Sequence, residues 1–238
     1  MPPSMHVFRA ALIGLGMALA LVLPSVGRAR SDVATARAAS GAATAEWLAR
    51  TPFAEGVPYA EARELSDADV GRLIEMLDDS DEAKHRAQII EVLGMSGGAG
   101  AYPAVAAAAA KQPVGEVHAS TLRARVAILV ALGHLARSDD RALMDLESAA
   151  AKDEIPEWSH RRLHGARLGG LLQRSAATAL AISGRPQAES ALERLRANAG
   201  NSRELTRHLD AALALRARVA RDGAHTTFGR NAFGGAGR

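Results

Sequence analysis

The sequence predicts an all-α protein built as a right-handed α-solenoid of about four stacked, antiparallel helix pairs. A short phrase recurs, as RAQIIEVLG at residues 86–94, RVAILVALG at 125–133 and RSAATALA at 174–181. Aligned on Leu93, Leu132 and Leu180, the copies lie 39 and 48 residues apart, which is a period typical of helical repeat arrays. No window shows the two-residue alternation of a half-buried strand, so we expect no sheet.

Caps and breaks give the order of the helices. Ser66 and Asp69 supply acceptors for the first free amides of a helix, and Pro186 suits a first helical turn. Glycine-rich stretches at 96–100 and 183–184 indicate helix ends. The predicted pairs are 66–77 with 82–95, 101–111 with 120–136, 138–152 with 167–182, and 186–198 with 201–221. A further short helix is expected at 44–52, around Trp47 and Leu48.

The paired helices resemble a known repeat family. Residues 174–186, RSAATALAISGRP, and the unit at 73–97 resemble HEAT repeats, in the short bacterial form that also occurs in phycobilin lyases. The resemblance covers 66–221 and implies a HEAT-like helical repeat domain at about 44–221. It says little about function, because repeats of this kind serve adaptors, inhibitors and lyase subunits alike.

The N-terminal segment has the layout of a secretory signal. A short region with Arg9 precedes an apolar run at 10–23 and a small-residue site ending at Ala29, so 1–29 is predicted to be a cleaved signal peptide. This places the protein in the periplasm or outside the cell. The alternative is an uncleaved segment that tethers it to the inner membrane, although the run is short for a span. Residues 30–43 are expected to form a flexible leader and 222–238 a disordered tail.

The charge balance argues against a nucleic-acid partner. The chain has 29 Lys and Arg against 26 Asp and Glu, and the signal segment removes Arg9 and Arg28, which leaves 27 against 26. No basic stripe interleaved with aromatic residues is present, although single-strand binding favours one. After signal cleavage we expect no stable membrane insertion and no nucleic acid as a partner.

One candidate surface follows the second helices of the pairs. Three-and-four spacing places a row of side chains on one face of each helix, and helical repeat families often use this face for binding. The row consists of Lys84, Gln88 and Glu91, then Arg123, Ala127, His134 and Arg137, then Ser175 and Thr178. Its mixed charge suits a protein partner, and the alternative is a solvated face with no partner.

The better candidate is the insertion at 155–167 in the third pair. Insertions in repeat arrays form loops that often lie on the binding face. This one carries Trp158, His160, Arg161, Arg162, His164 and Arg167, and tryptophan and arginine are enriched at binding hot spots. The alternative is that Trp158 plugs the array while its charged neighbours are solvated. A metal is not expected at His160 and His164, because Arg161 and Arg162 would repel a cation.

The sequence contains no recognisable catalytic motif. No serine lies in a nucleophile-elbow pattern, and no glycine-rich phosphate loop follows a strand. We therefore expect no cofactor, no metal and no catalytic residues. The predicted function is an exported, non-catalytic scaffold that binds another protein. The alternative is an enzyme or small-ligand-binding protein with its site under the 153–167 loop.

Overall fold

The computed structural model describes residues 41–54, 56–151, 156–200 and 202–229. Within these ranges the chain forms eleven α-helices, which confirms the predicted all-α class. The helices are α1 Gly41–Arg50, α2 Tyr59–Arg63, α3 Asp67–Asp78, α4 Arg86–Ser96, α5 Ala101–Ala110, α6 Ala119–Leu135, α7 Asp140–Ala151, α8 Gly165–Ser183, α9 Pro186–Ala197, α10 Arg203–Asp222 and α11 Ala224–Gly229. A 3-10 turn lies at Ser80–Glu82. The predicted signal peptide at 1–29 lies outside the described residues, and so does the leader up to residue 40.

Consecutive helices pack as four pairs. Helix α3 contacts α4, α5 contacts α6, α7 contacts α8, and α9 contacts α10. The second helix of each pair also contacts the second helix of the next, so that α4, α6, α8 and α10 pack side by side in chain order. The first helices make smaller contacts, between α3 and α5 and between α7 and α9. The core therefore runs between two layers of helices.

The repeated phrase lies where the second helices meet. Leu93, Leu132 and Leu180 are at most 3% exposed, as expected for equivalent core positions. The glycines that follow the first two leucines lie against the next helix. A Cβ added to Gly94 would collide with the backbone of Ala131. One added to Gly133 would lie 2.6 Å from the carbonyl oxygen of Ala179. These glycines let neighbouring second helices approach closely.

Two short helices before the first pair cover part of α4. Helix α1 packs on α3 and α4, and α2 packs on α4. The Gln88 side-chain amide donates to the carbonyls of Leu48 and Thr51 near the end of α1. The Arg63 guanidinium donates to the carbonyl of Ser96 at the end of α4, at 3.0 Å. These three bonds satisfy carbonyls at or just beyond helix ends, where partners within the helix run out.

Two local elements differ from the expectations. Strand β1, Gly115–Glu116, pairs in parallel with β2, Trp158–Ser159, and strands of two residues are too short to show a sequence alternation. Residues 224–229, inside the segment expected to be disordered, form α11. Gly223 precedes that helix with φ 77° and ψ 156°, a conformation that is essentially restricted to glycine. Residues 230–238 lie outside the described ranges.

Candidate functional site

Two interhelical loops lie side by side, just before α6 and α8. One joins α5 to α6 (residues 111–118), and the described part of the other (156–164) leads into α8. We call these segments the paired loops. The ladder between β1 and β2 joins them, with Gly115 opposite Trp158, and the amide of Val117 donates to the carbonyl of Ser159 at 2.8 Å. The insertion is therefore held by its neighbour rather than standing alone.

Trp158 anchors the paired loops. Trp158 is only 4% exposed, as in the alternative that the sequence left open, in which this residue plugs the array. The sequence could not distinguish the two roles, because a tryptophan suits both a core and a binding hot spot. The buried indole instead fixes the segment that carries the exposed arginines.

A tight turn presents the two arginines. The backbones of His160 and Leu163 exchange two hydrogen bonds of 2.9 Å, which leaves Arg161 and Arg162 exposed at the tip. The Nδ1 atom of His160 lies 2.8 Å from the carbonyl oxygen of Val117. Because a carbonyl only accepts, Nδ1 carries the proton and donates. The turn is thus tied to the first loop by both backbone and side chain.

Two shallow, open depressions flank this turn. The larger, of about 510 Å³, is lined by Leu122, His160, Arg161, Arg162 and Leu163. The smaller, of about 400 Å³, is lined by Glu116, Val117, His118, Ala119, His160 and Arg161. His160 and Arg161 line both depressions, and we call these two residues the ridge. Neither has the enclosed shape typical of a small-molecule site.

Several further residues lie in or near the paired loops, most of them close to the start of α8 or α6. His164 is the residue before α8, and its side chain makes no capping hydrogen bond. Arg167 lies in the first turn of α8 and is exposed. Arg123 lies in the first turns of α6, is exposed, and its Nε atom donates to the carbonyl of Ala119 at 3.4 Å. Val114, in the first loop, is an apolar side chain that is 79% exposed.

The predicted row on the second helices is exposed at Lys84, Arg123 and Arg137 but not along its whole length. Ala127 and His134 are buried, and Gln88 is bonded to the end of α1. The hydroxyls of Ser175 and Thr178 donate to carbonyls of their own helix. Periodicity finds a common face, but it does not reveal which elements distant in the chain cover that face. Lys84 does remain exposed, in the turn before α4.

Glu91, also in that row, is partly buried. No hydrogen-bond or ion-pair partner for its carboxylate is found among the described residues. Burial alone raises the pKa of Glu91 to about 7, because desolvation penalises the charged form. Its charge is therefore sensitive to pH near neutrality.

The other end of the second helices carries a cluster of rings that the sequence did not suggest. We call Tyr59, His134 and Phe228 the aromatic cluster. The His134 ring lies 5.4 Å from that of Tyr59 and 5.5 Å from that of Phe228, measured between centroids. The guanidinium of Arg137 donates to the Tyr59 hydroxyl. Residues 169 positions apart in the chain thus meet over α6, and nothing in local periodicity signals this contact.

His134 is held neutral inside this cluster. Its Nδ1 atom is buried and has no hydrogen-bond partner within the described chain. Burial, followed by the charges of Arg137 and Arg63, lowers the pKa of His134 to about 3. His134 is therefore a core residue here rather than the partner contact that was predicted.

The comparisons with known proteins assign no family. No family model matches the chain, and no match is found among curated proteins or solved structures. Across the described ranges, no helix is both long and apolar enough to span a bilayer. In the same residues, His, Asp and Glu side chains form no group of three or more placed to hold a metal ion.

Proposed function

We propose that the chain is an exported, non-catalytic scaffold that binds another protein. In this proposal, the helices form a right-handed, HEAT-like solenoid. The lateral packing of α4, α6, α8 and α10 supports that arrangement, since each repeat of a solenoid contacts only its neighbours. The same Leu-Gly step also recurs at the interfaces of α4 with α6 and of α6 with α8.

The paired loops are the proposed binding surface. The single observation that carries this is the exposed tip at Arg161 and Arg162, held by a buried tryptophan and a strand ladder. Arginine on a rigid support loses little conformational freedom when it binds, and this lowers the cost of association. The open shape of both depressions suits a protein surface better than an enclosed small ligand.

Export follows from the three-part layout of residues 1–29. The proposed location is the periplasm or the exterior. Tethering to the inner membrane through an uncleaved segment is the alternative. Sequencing the N-terminus of the protein from its native host separates the two, because cleavage predicts a start near residue 30.

We expect Arg161→Glu with Arg162→Glu to abolish capture of the partner in a crosslinking pull-down from the native envelope fraction. Reversed charges would repel the partner group that the arginines attract. The matched control is Arg207→Glu with Arg218→Glu on α10, because these arginines are equally exposed and the change in net charge is the same. Trp158 is left unchanged, since its loss would disturb the loop itself.

Capture by the wild type and the control, but not by the loop variant, would support the proposal. Equal capture by all three would move the site away from the paired loops. If none captures a protein, the small-ligand alternative gains, and a rise in melting temperature with a ligand would then identify it.

A further inference from the structure

The larger depression combines an apolar floor with a basic rim. Leu122 and Leu163 form the floor, and His160, Arg161 and Arg162 form the rim. No acidic side chain lines this depression in the described chain, whereas Glu116 lines the smaller one. The larger depression is thus complementary to a group that is both acidic and apolar.

We propose that this depression docks an acidic segment of the partner protein. Carboxylates of the segment would bind Arg161 and Arg162, and an aliphatic side chain between them would pack on Leu122 and Leu163. The planar guanidinium can hold a carboxylate through two parallel hydrogen bonds. The inference rests on the proposed function, and it adds the chemical class of the partner.

The apolar floor favours a protein segment over a bare polyanion. Phosphate chains and nucleic-acid backbones offer no aliphatic group to cover Leu122 and Leu163. Binding of such polyanions also depends on a broad field of basic residues, whereas the 27 basic and 26 acidic residues that follow position 29 nearly balance. An acidic segment with leucine side chains uses both features of the depression.

The backbone of Arg161 supports a functional reading of the turn. Its φ is 51°, and it is the only residue other than glycine with positive φ in the described ranges. An L-residue with a long side chain pays a steric penalty in this left-handed region. Backbone strain of this kind gathers at functional sites, and here it falls on a residue of the ridge, which lines both depressions.

The test uses a fluorescein-labelled peptide of alternating Glu and Leu, with fluorescence anisotropy as the readout on the whole exported protein. We expect saturable binding that Arg161→Ser with Arg162→Ser weakens at least about tenfold. Arg207→Ser with Arg218→Ser is the matched control and should leave the affinity unchanged. A peptide of alternating Glu and Ser should bind more weakly, because it lacks the group for the apolar floor.

Three results would overturn the inference: no saturable binding of the Glu-Leu peptide, equal weakening in both double variants, or tighter binding of inorganic polyphosphate through the same arginines. The proposed function can survive any of them, because the pull-down reports on a partner of any chemistry. If capture of the partner depends on the arginines but the Glu-Leu peptide does not bind, only the acidic-segment inference is contradicted.

A single variant separates binding from a structural role. Asn tolerates the left-handed region better than Arg, so Arg161→Asn should not lower the melting temperature. It should nevertheless weaken peptide binding, because it removes one guanidinium. A lower melting temperature with unchanged peptide affinity would instead assign Arg161 a purely structural role and contradict the inference.

Discussion

Gly133→Ala is expected to lower the free energy of unfolding by about 3 kcal/mol or more, although alanine is the better helix former. The added Cβ would lie 2.6 Å from the carbonyl oxygen and 3.0 Å from the Cα of Ala179. Both atoms belong to the backbone of α8, so they cannot rotate away as a side chain could. Helix α6 would have to separate from α8, and contacts along the whole interface would loosen.

The matched control is Gly71→Ala. Gly71 also lies inside a helix, α3, but a Cβ there would meet nothing within 4 Å. The same substitution should therefore raise the free energy of unfolding by roughly 0.5–1 kcal/mol. Urea denaturation of both variants gives the comparison. A Gly133→Ala protein as stable as the wild type would show that α6 and α8 do not pack as closely as described.

A second large effect is expected between about pH 7 and pH 5, where Glu91 and His134 give the stability opposite pH dependence. As the pH is lowered through this range, we expect the free energy of unfolding to decrease in Glu91→Gln and to increase in His134→Phe. Each slope should approach about 1.4 kcal/mol per pH unit. In the wild type the two contributions largely cancel.

The sign for His134 follows from its lowered pKa. The ordinary value is 6.5, and the folded value is about 3. Below pH 6.5 the His134 imidazole is protonated in the unfolded chain but stays neutral in the folded chain. Lowering the pH therefore favours unfolding. Tyr59 of α2 and Phe228 of α11 contact this ring, and the charges of Arg137 and Arg63 act on it. None of them supplies an acid that would stabilise a protonated His134.

The sign for Glu91 is the reverse. Its pKa rises from 4.5 to about 7 in the folded protein. Between these values the folded chain binds a proton that the unfolded chain does not, so stability grows as the pH falls through 7 and is lost as it rises. Glu91→Gln removes this contribution and leaves that of His134.

Urea denaturation of the two variants at about pH 7, 6 and 5 measures both slopes. Other titrating groups, including His208, whose pKa is lowered mainly by burial, are common to both variants and cancel in the comparison. Parallel pH profiles for Glu91→Gln and His134→Phe would contradict the opposite pKa shifts of the two groups.

The helical class and the order of the pairs could be predicted because they depend on local signals. Caps, breaks and apolar spacing act within a few residues, and the structure has a capping box at Ser66 and Asp69. The recurrence of Leu93 and Leu132, each followed by glycine, marked buried interfaces correctly. The close approach at Gly94 and Gly133 depends on Ala131 and Ala179 of the next helix, which lie too far along the chain for a local signal.

Some positions of the predicted row on the second helices are covered, for a physical reason. A helical face repeats every three or four residues whether it meets solvent or protein. Here α1 accepts the bonds of Gln88, and Tyr59 and Phe228 cover His134. Those partners lie far away in the chain, so the three-and-four residue spacing on α4 and α6 could not predict their contacts.

The sequence identifies the insertion because it interrupts the repeat. It does not reveal which residues of the insertion are buried and which are exposed. Its tryptophan is buried and its arginines are exposed. The ladder to Gly115 depends on a loop about 43 residues earlier, which no local pattern links to Trp158. The sequence likewise does not predict the left-handed backbone at Arg161, because glycine and asparagine are the residues that signal this conformation.

The most direct test of the binding proposal is site-specific photocrosslinking in the native host. A photoreactive amino acid replaces Arg162 in one variant and Arg207 in the other, and adducts are identified by mass spectrometry. The account predicts that position 162 yields an adduct with one partner protein, while position 207 yields none. An adduct at 207 with none at 162, or equal adducts at both positions, would contradict binding through the paired loops.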